Sequence, residues 1–304
     1  MTTPPTLDEL QRFCIPGRVA FESGPGGLLR ASVTTPQAQA LIYIHGAHVA
    51  HYQSSGQAPL LFMSKRSFFD PTKPIRGGVP ICFPWFGPRS GDPAAPIHGF
   101  VRLRPWTVES SRQLPDGSIQ LEFSFQHRNP SPQTWPSPFT AIYTVTVGPT
   151  LTLNLAVHNP GPGPLAFEEA FHTYFAVGDV RELSVSGLGG LTYLDKPDGM
   201  KPKQQPSAPI RFTAETDRVY LDTPASCTLD DPRLGRRIII EKSASNTTVV
   251  WNPWIEKAKT MADFDPDEWS RMLCIETANA KANSITLASG TNHAMQARLR
   301  SEPR

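Results

Sequence analysis

The chain has 304 residues, 39% of them hydrophobic, and its 29 Lys and Arg nearly balance 27 Asp and Glu for a net charge of +2. That balance, with no Lys/Arg run, excludes a nucleic-acid face built on bulk positive charge, but leaves room for a small anion held by a few arginines. The most apolar run, 79–86, is broken by Pro80 and Pro84, so no segment is long enough to span a bilayer as a helix.

The 32 prolines and 22 glycines are spread along the chain, as punctuation between many short strands. The N-terminus, Met1-Thr2-Thr3-Pro4-Pro5, has neither the basic nor the apolar region of a signal peptide. Thr6-Leu7-Asp8-Glu9 is a capping box and predicts one short helix over 7–13. Strands are expected at 28–34, 40–45 and 48–53, all rich in β-formers. Over 119–126, Ile119, Leu121, Phe123 and Phe125 point one way and Gln120, Glu122, Ser124 and Gln126 the other. Segments 139–147 and 151–158 flank Gly148-Pro149-Thr150 and read as a hairpin. Further strands are expected at 165–175, 210–212, 219–222, 237–242, 247–251, 272–277, 284–288 and 294–299. Asp265-Pro266-Asp267-Glu268-Trp269 predicts a single helical turn. Otherwise helical periodicity is absent.

Many strands, few helices and no βαβ rhythm predict an all-β, antiparallel sandwich. The loops at 129–138, 159–164 and 196–209 are embedded between strands, so one domain over 1–304 is expected. Cys14, Cys82, Cys227 and Cys274 have no CxxC spacing, which suits reduced thiols in a cytoplasm better than zinc or a disulfide framework.

Three stretches carry groups that chemistry could use. In 167–175, read as a strand, Phe167, Phe171 and Phe175 share one face, and Glu168, Ala170, His172 and Tyr174 the other. His172 is either a core histidine satisfied by a carbonyl or a rigidly held proton carrier working near neutral pH. Glu276 ends a strand in which Met272, Cys274 and Glu276 face away from Leu273 and Ile275; it is either a strand-end charge or a site group. Between the two, Trp251, Trp254 and Trp269 suit the apolar faces of sugars as well as they suit a core. Arg76 precedes Gly77-Gly78, where backbone can approach a ligand closely, and Arg102 ends His98-Gly99-Phe100-Val101-Arg102. Together the arginines could grip a phosphate in forks, or each could serve in a surface or structural ion pair. His45, His48 and His51 have metal-like spacing, but in a strand His48 points away from the other two, and no metal site is expected there. Phosphate loops and a Gly-x-Ser-x-Gly elbow are absent.

The motifs IRGGVPICFPWFG (75–87), HGFVR (98–102), FHTYF (171–175), ETD (215–217), VVWNPWIEKAKTMADF (249–264) and CIE (274–276) together resemble the aldose 1-epimerase superfamily. The resemblance is to its hexose-6-phosphate mutarotase branch, over roughly 44–288. It implies a galactose-mutarotase-like supersandwich with an open cleft on one sheet. It implies His172 as general acid and Glu276 as general base. It assigns Arg76 and Arg102 to the 6-phosphate, Asp217 to the sugar hydroxyls and His98 to the cleft wall. Relatives often carry Gln just before HGxxR, where this chain has Ile97.

Anomer interconversion takes a proton from the anomeric hydroxyl and delivers one to the ring oxygen. A carboxylate (ordinary pKa ~4.3) and an imidazole (~6.5) can share that task near neutral pH. No metal or cofactor is expected, nor any partner beyond a small sugar phosphate: no nucleic acid, no membrane, and a monomer by default. Two other readings stay open: a mutarotase of unphosphorylated aldoses, and a sugar-phosphate-binding protein without turnover.

Overall fold

The computed structural model describes residues 4–131 and 134–304. Alternation builds its first large sheet. In Phe139–Val147 the odd positions are buried and the even ones half-buried, and Leu151–His158 repeats the pattern. The two strands pair from Thr140↔His158 to Val147↔Leu151, giving the expected hairpin. Eight antiparallel strands complete this sheet. They run Ser184–Ser186, Cys227–Asp231, Arg236–Ser243, Asn292–Pro303, Leu151–His158, Phe139–Val147, Ile119–His127 and Thr107–Gln113.

The second large sheet packs against it and carries the groups of interest. Its order is Lys201–Gln204, Thr192–Asp195, Thr216–Tyr220, Thr247–Asn252, Met272–Asn279, Glu169–Phe171 and Ile81–Cys82, with Tyr174–Ala176 also paired to Met272–Asn279. All eight residues of Met272–Asn279 and all six of Thr247–Asn252 are buried. The faces still alternate. Leu273, Ile275 and Val250 join the main core between the sheets, while Met272, Cys274 and Trp251 join a smaller cluster with Tyr174 on the far side. A four-stranded sheet of Val19–Ser23, Leu29–Thr34, Ala38–Tyr43 and His48–Ser54 extends the core, and Tyr52 donates from its hydroxyl to the Gly148 carbonyl at 2.7 Å.

The capping box forms as expected: the Glu9 N–H donates to Thr6 Oγ1 and the Thr6 N–H to Glu9 Oε2. Helix Leu7–Leu10 then tightens into a 3₁₀ turn over Gln11–Phe13. Several expectations need correction. The strand expected over 165–175 is three, Leu165–Phe167, Glu169–Phe171 and Tyr174–Ala176, because the Thr173 N–H turns back onto the Phe171 carbonyl. The loop expected over 196–209 contains an edge strand, Lys201–Gln204, where Pro202 is tolerated because an edge position needs no donor on its open side. Segment 210–212 contributes only a bridge between Ile210 and Val185. The helix Trp254–Thr260 is not expected from the sequence, since seven residues are too few to display a period. The turn expected at 265–269 forms slightly later, as Glu268–Arg271. Residues 1–3 of the N-terminal segment and 132–133 of the loop at 129–138 lie outside the described residues. All four cysteines are free, and among the described residues no helix is long and apolar enough to cross a membrane.

Candidate active site

Strand register assembles the centre of the site. Phe171 pairs with Thr277 and Tyr174 with Cys274, so the register runs unbroken across the kink and sets His172 opposite Glu276. Opposed residues share a face. Tyr174 lies opposite Cys274, Cys274 opposite Trp251, and Trp251 opposite Asp217. One row across the sheet therefore presents Tyr174, Trp251 and Asp217 on the face that also carries Glu276, two residues beyond Cys274.

His172 Nε2 lies 3.5 Å from Glu276 Oε1, just beyond a hydrogen bond, and the side chains are 9% and 2% exposed. Tyr174 stacks on the imidazole at 4.8 Å and 10°, while Trp251 and His98 meet it edge-on at 5.8 and 5.5 Å. The ring is thus fixed by aromatic contacts. His172 Nδ1 and Glu276 Oε2 are buried with no hydrogen-bond partner. Such atoms cost about 1–3 kcal/mol each when left unsatisfied, and they mark where a ligand's hydroxyls are wanted.

Burial first, and then the positive charges of Arg102 and Arg76, hold His172 well below the usual histidine pKa. Burial, and then the neighbouring Asp217, hold Glu276 well above the usual carboxyl value. The two shifts together set a neutral imidazole against a protonated carboxyl. Moving one proton from Glu276 to His172 would set a carboxylate beside an imidazolium, a base and an acid side by side.

Arg76 leaves a loop in which Gly78, at φ +58, passes so close to the His48 strand that a Cβ would lie 2.3 Å from the Val49 carbonyl. Its guanidinium is committed: Nε and Nη2 both lie 3.1 Å from Asp263 Oδ2, and Nη1 donates to the Tyr174 hydroxyl at 2.8 Å. Arg102 differs. Its Nη2 donates to the Ile97 carbonyl at 2.7 Å, its Nε is buried without a partner, and no carboxylate pairs with it among the described residues. The two guanidinium charges are near enough to act on one another, and burial with that repulsion lowers the Arg102 pKa. Ile97 itself is exposed and contributes its backbone carbonyl. His98 accepts the Gly87 N–H at Nδ1, 3.1 Å, and burial keeps its ring neutral, so its proton sits on Nε2.

Asp217 Oδ2 is 2.9 Å from Lys196 Nζ, and the lysine's charge reaches Glu276, His172 and His98. Lys196, Tyr174 and Asp263 are not among the sequence candidates. Lys196 stands in a charged turn with no pattern around it, and Asp263 meets Arg76 from 187 residues away. Tyr174 alone leaves a signal, sharing a face with His172. The histidine trio does not converge. His45 Nε2 meets the Lys73 carbonyl at 2.9 Å, and His48 is buried under Gly78. Among the described residues no group of three or more His, Cys, Asp or Glu is arranged to hold a metal ion.

The family model for aldose 1-epimerase matches residues 30–300. A protein of Escherichia coli strain K12 bearing the name "Putative glucose-6-phosphate 1-epimerase" is 35% identical over 82% of each chain. A protein of the same name from Cenchrus ciliaris is 34% identical over 82% of this chain and 77% of its own. The crystal structure of a "putative mutarotase" from Salmonella typhimurium superposes with a TM-score of 0.88 at 28% identity, covering 98% of this chain and 99% of the other.

Proposed function

This chain belongs to the aldose 1-epimerase family, and we propose that it interconverts the α and β anomers of a hexose 6-phosphate, as a glucose-6-phosphate 1-epimerase. It is an isomerase on the mutarotase sandwich. The sugar lies over Trp251 and Tyr174 with its anomeric carbon at the His172–Glu276 pair. Glu276, ionised, takes the proton of the C1 hydroxyl. The C1–O5 bond breaks as His172 delivers a proton to O5, leaving an open-chain aldehyde. Rotation about C1–C2 turns the other aldehyde face toward O5. Ring closure then returns the O5 proton to His172 and the C1 oxygen's proton from Glu276. Asp217, held by Lys196, accepts ring hydroxyls, and His98 donates from Nε2.

The observation that carries a phosphorylated substrate is Arg102, a guanidinium with a buried, unpaired Nε and no carboxylate partner among the described residues, beside the acid–base pair. Arginine in that condition awaits an anion. One fact favours the second reading, a mutarotase of free aldoses: Arg76 already spends its donors on Asp263 and Tyr174. The named relatives support the phosphorylated sugar. The same reading has a cytoplasmic monomer that acts on a small sugar phosphate without metal or cofactor.

The acid–base assignment is tested with His172→Asn and Glu276→Gln. Each lowers kcat for anomer exchange by roughly 10²- to 10⁴-fold while circular dichroism stays that of the wild type. A folded variant of either residue that keeps the full rate contradicts the mechanism.

A further inference from the structure

Two facts about the site conflict until a substrate is considered. The reaction asks His172 to carry a proton, yet cationic groups surround its ring. Arg102 approaches from the segment at 97–102, whose neutral His98 ring also meets the imidazole, and Arg76 comes from the glycine loop. Lys196 lies on the turn beyond Asp217. Arg76 is tied to the ring's own neighbour, since it grips the hydroxyl of the tyrosine that stacks on His172. Glu276 is the facing acid, Trp251 is neutral, and burial keeps the nearby Cys82 and Cys274 thiols protonated. Asp263 pairs with Arg76 directly, whereas no carboxylate among the described residues forms an ion pair with Arg102.

We propose that the substrate's own phosphate arms the catalytic acid: seated on Arg102 and Arg76, the anion cancels the charges that crowd His172, so the imidazole accepts its proton only when a phosphorylated sugar is bound. This rests on the phosphate-binding role given to the arginines above. It adds that the phosphate raises kcat, and does not merely hold the sugar. The asymmetry of the site favours the outcome. Arg76 holds the hydroxyl of the tyrosine stacked on His172, and both guanidinium charges bear on the imidazole, whereas Glu276 has the Asp217–Lys196 pair on its side. A dianion at the clamp therefore acts mainly on the imidazole, and the proton held by Glu276 passes to His172. No other reactant is involved; the proton stays within the pair until the sugar takes it at O5. A free hexose, lacking the anion, meets an acid that remains neutral, so discrimination appears in kcat as well as in KM.

The test is an NMR pH titration of the intact protein in chloride and then in sulfate, a dianion throughout the range, following the His172 imidazole and the Arg76 and Arg102 guanidinium signals together. In chloride, His172 stays neutral down to the lowest pH at which the protein is folded. In sulfate, both guanidinium signals shift and the His172 midpoint rises by about one pH unit or more. Arg102→Gln in chloride raises the midpoint by itself, and sulfate then adds little. If sulfate moves the guanidinium signals and leaves the His172 midpoint in place, the arming idea is wrong and the clamp survives. If sulfate moves neither, the phosphate-binding reading fails, and this inference with it.

Discussion

Lys196 reaches the cleft from a 3₁₀ turn and is half exposed, yet its ammonium lies 2.9 Å from a nearly buried carboxylate. It works against the two influences that keep Glu276 protonated, burial and the charge of Asp217. Removing it leaves Asp217 uncompensated and pushes the Glu276 pKa further up. The pair must keep the one proton that passes from Glu276 to His172, and solvent removes it at the Glu276 pKa, so a higher pKa extends activity to higher pH. Lys196→Met therefore displaces the basic limb of the kcat/KM–pH profile upward by about one unit, and Lys196→Arg restores it. An unmoved limb in Lys196→Met, with only KM changed, reduces the lysine to a substrate contact. At this scale the sequence exposes some residues and hides others for a physical reason. His172 stands out because alternation sets it among aromatics, and Glu276 because a carboxylate is unusual in an apolar strand. Lys196 and Asp263 sit in polar turns where charge is ordinary, and only tertiary contact gives them meaning.

At the scale of elements, legibility follows how many faces a strand buries. Phe139–Val147 and Leu151–His158 bury one face, so alternation outlines them to the residue. Thr247–Asn252 and Met272–Asn279 bury both, and their identity rests on β-branched content and length. Cys227–Asp231 and Thr107–Gln113 are too polar to announce themselves, and long-range pairing completes them. The kink at 172–173 leaves no mark in the sequence either, because the register continues through it and the His172 N–H still donates to the Pro80 carbonyl at 3.0 Å. The loop carrying His98 depends on Gly99, at φ +73, where a Cβ would fall 1.8 Å from the Phe83 carbonyl oxygen. Gly91 has a similar φ of +74 and nothing within 4 Å. Gly99→Ala therefore destabilises by about 2–3 kcal/mol and lowers activity with it, against about 1 kcal/mol for Gly91→Ala, as read from urea unfolding. Equal losses at the two positions show that the close packing of HGFVR against the 83–87 segment does not matter.

Across the whole molecule, the two large sheets divide the labour. One alternates and closes the core. The other buries both faces of its central strands, Thr247–Asn252 and Met272–Asn279, and carries the candidate site on its outer side. Glu169, buried on the site sheet, accepts from His293 of the long strand Asn292–Pro303 at 2.7 Å, and so ties the sheets together three residues from His172. A cleft held this rigidly suits a reaction that needs orientation and one mobile proton and no large closure. The central claim is that such a cleft turns over a phosphorylated hexose. The direct test is anomer exchange by NMR on purified protein, comparing glucose 6-phosphate with glucose at equal concentration. The expected kcat/KM for glucose 6-phosphate is at least ~100-fold above that for glucose, the worth of about 2.7 kcal/mol in transition-state binding through the phosphate. Equal acceleration of the two sugars, or acceleration of glucose alone, contradicts it and returns Arg76 and Arg102 to structural roles.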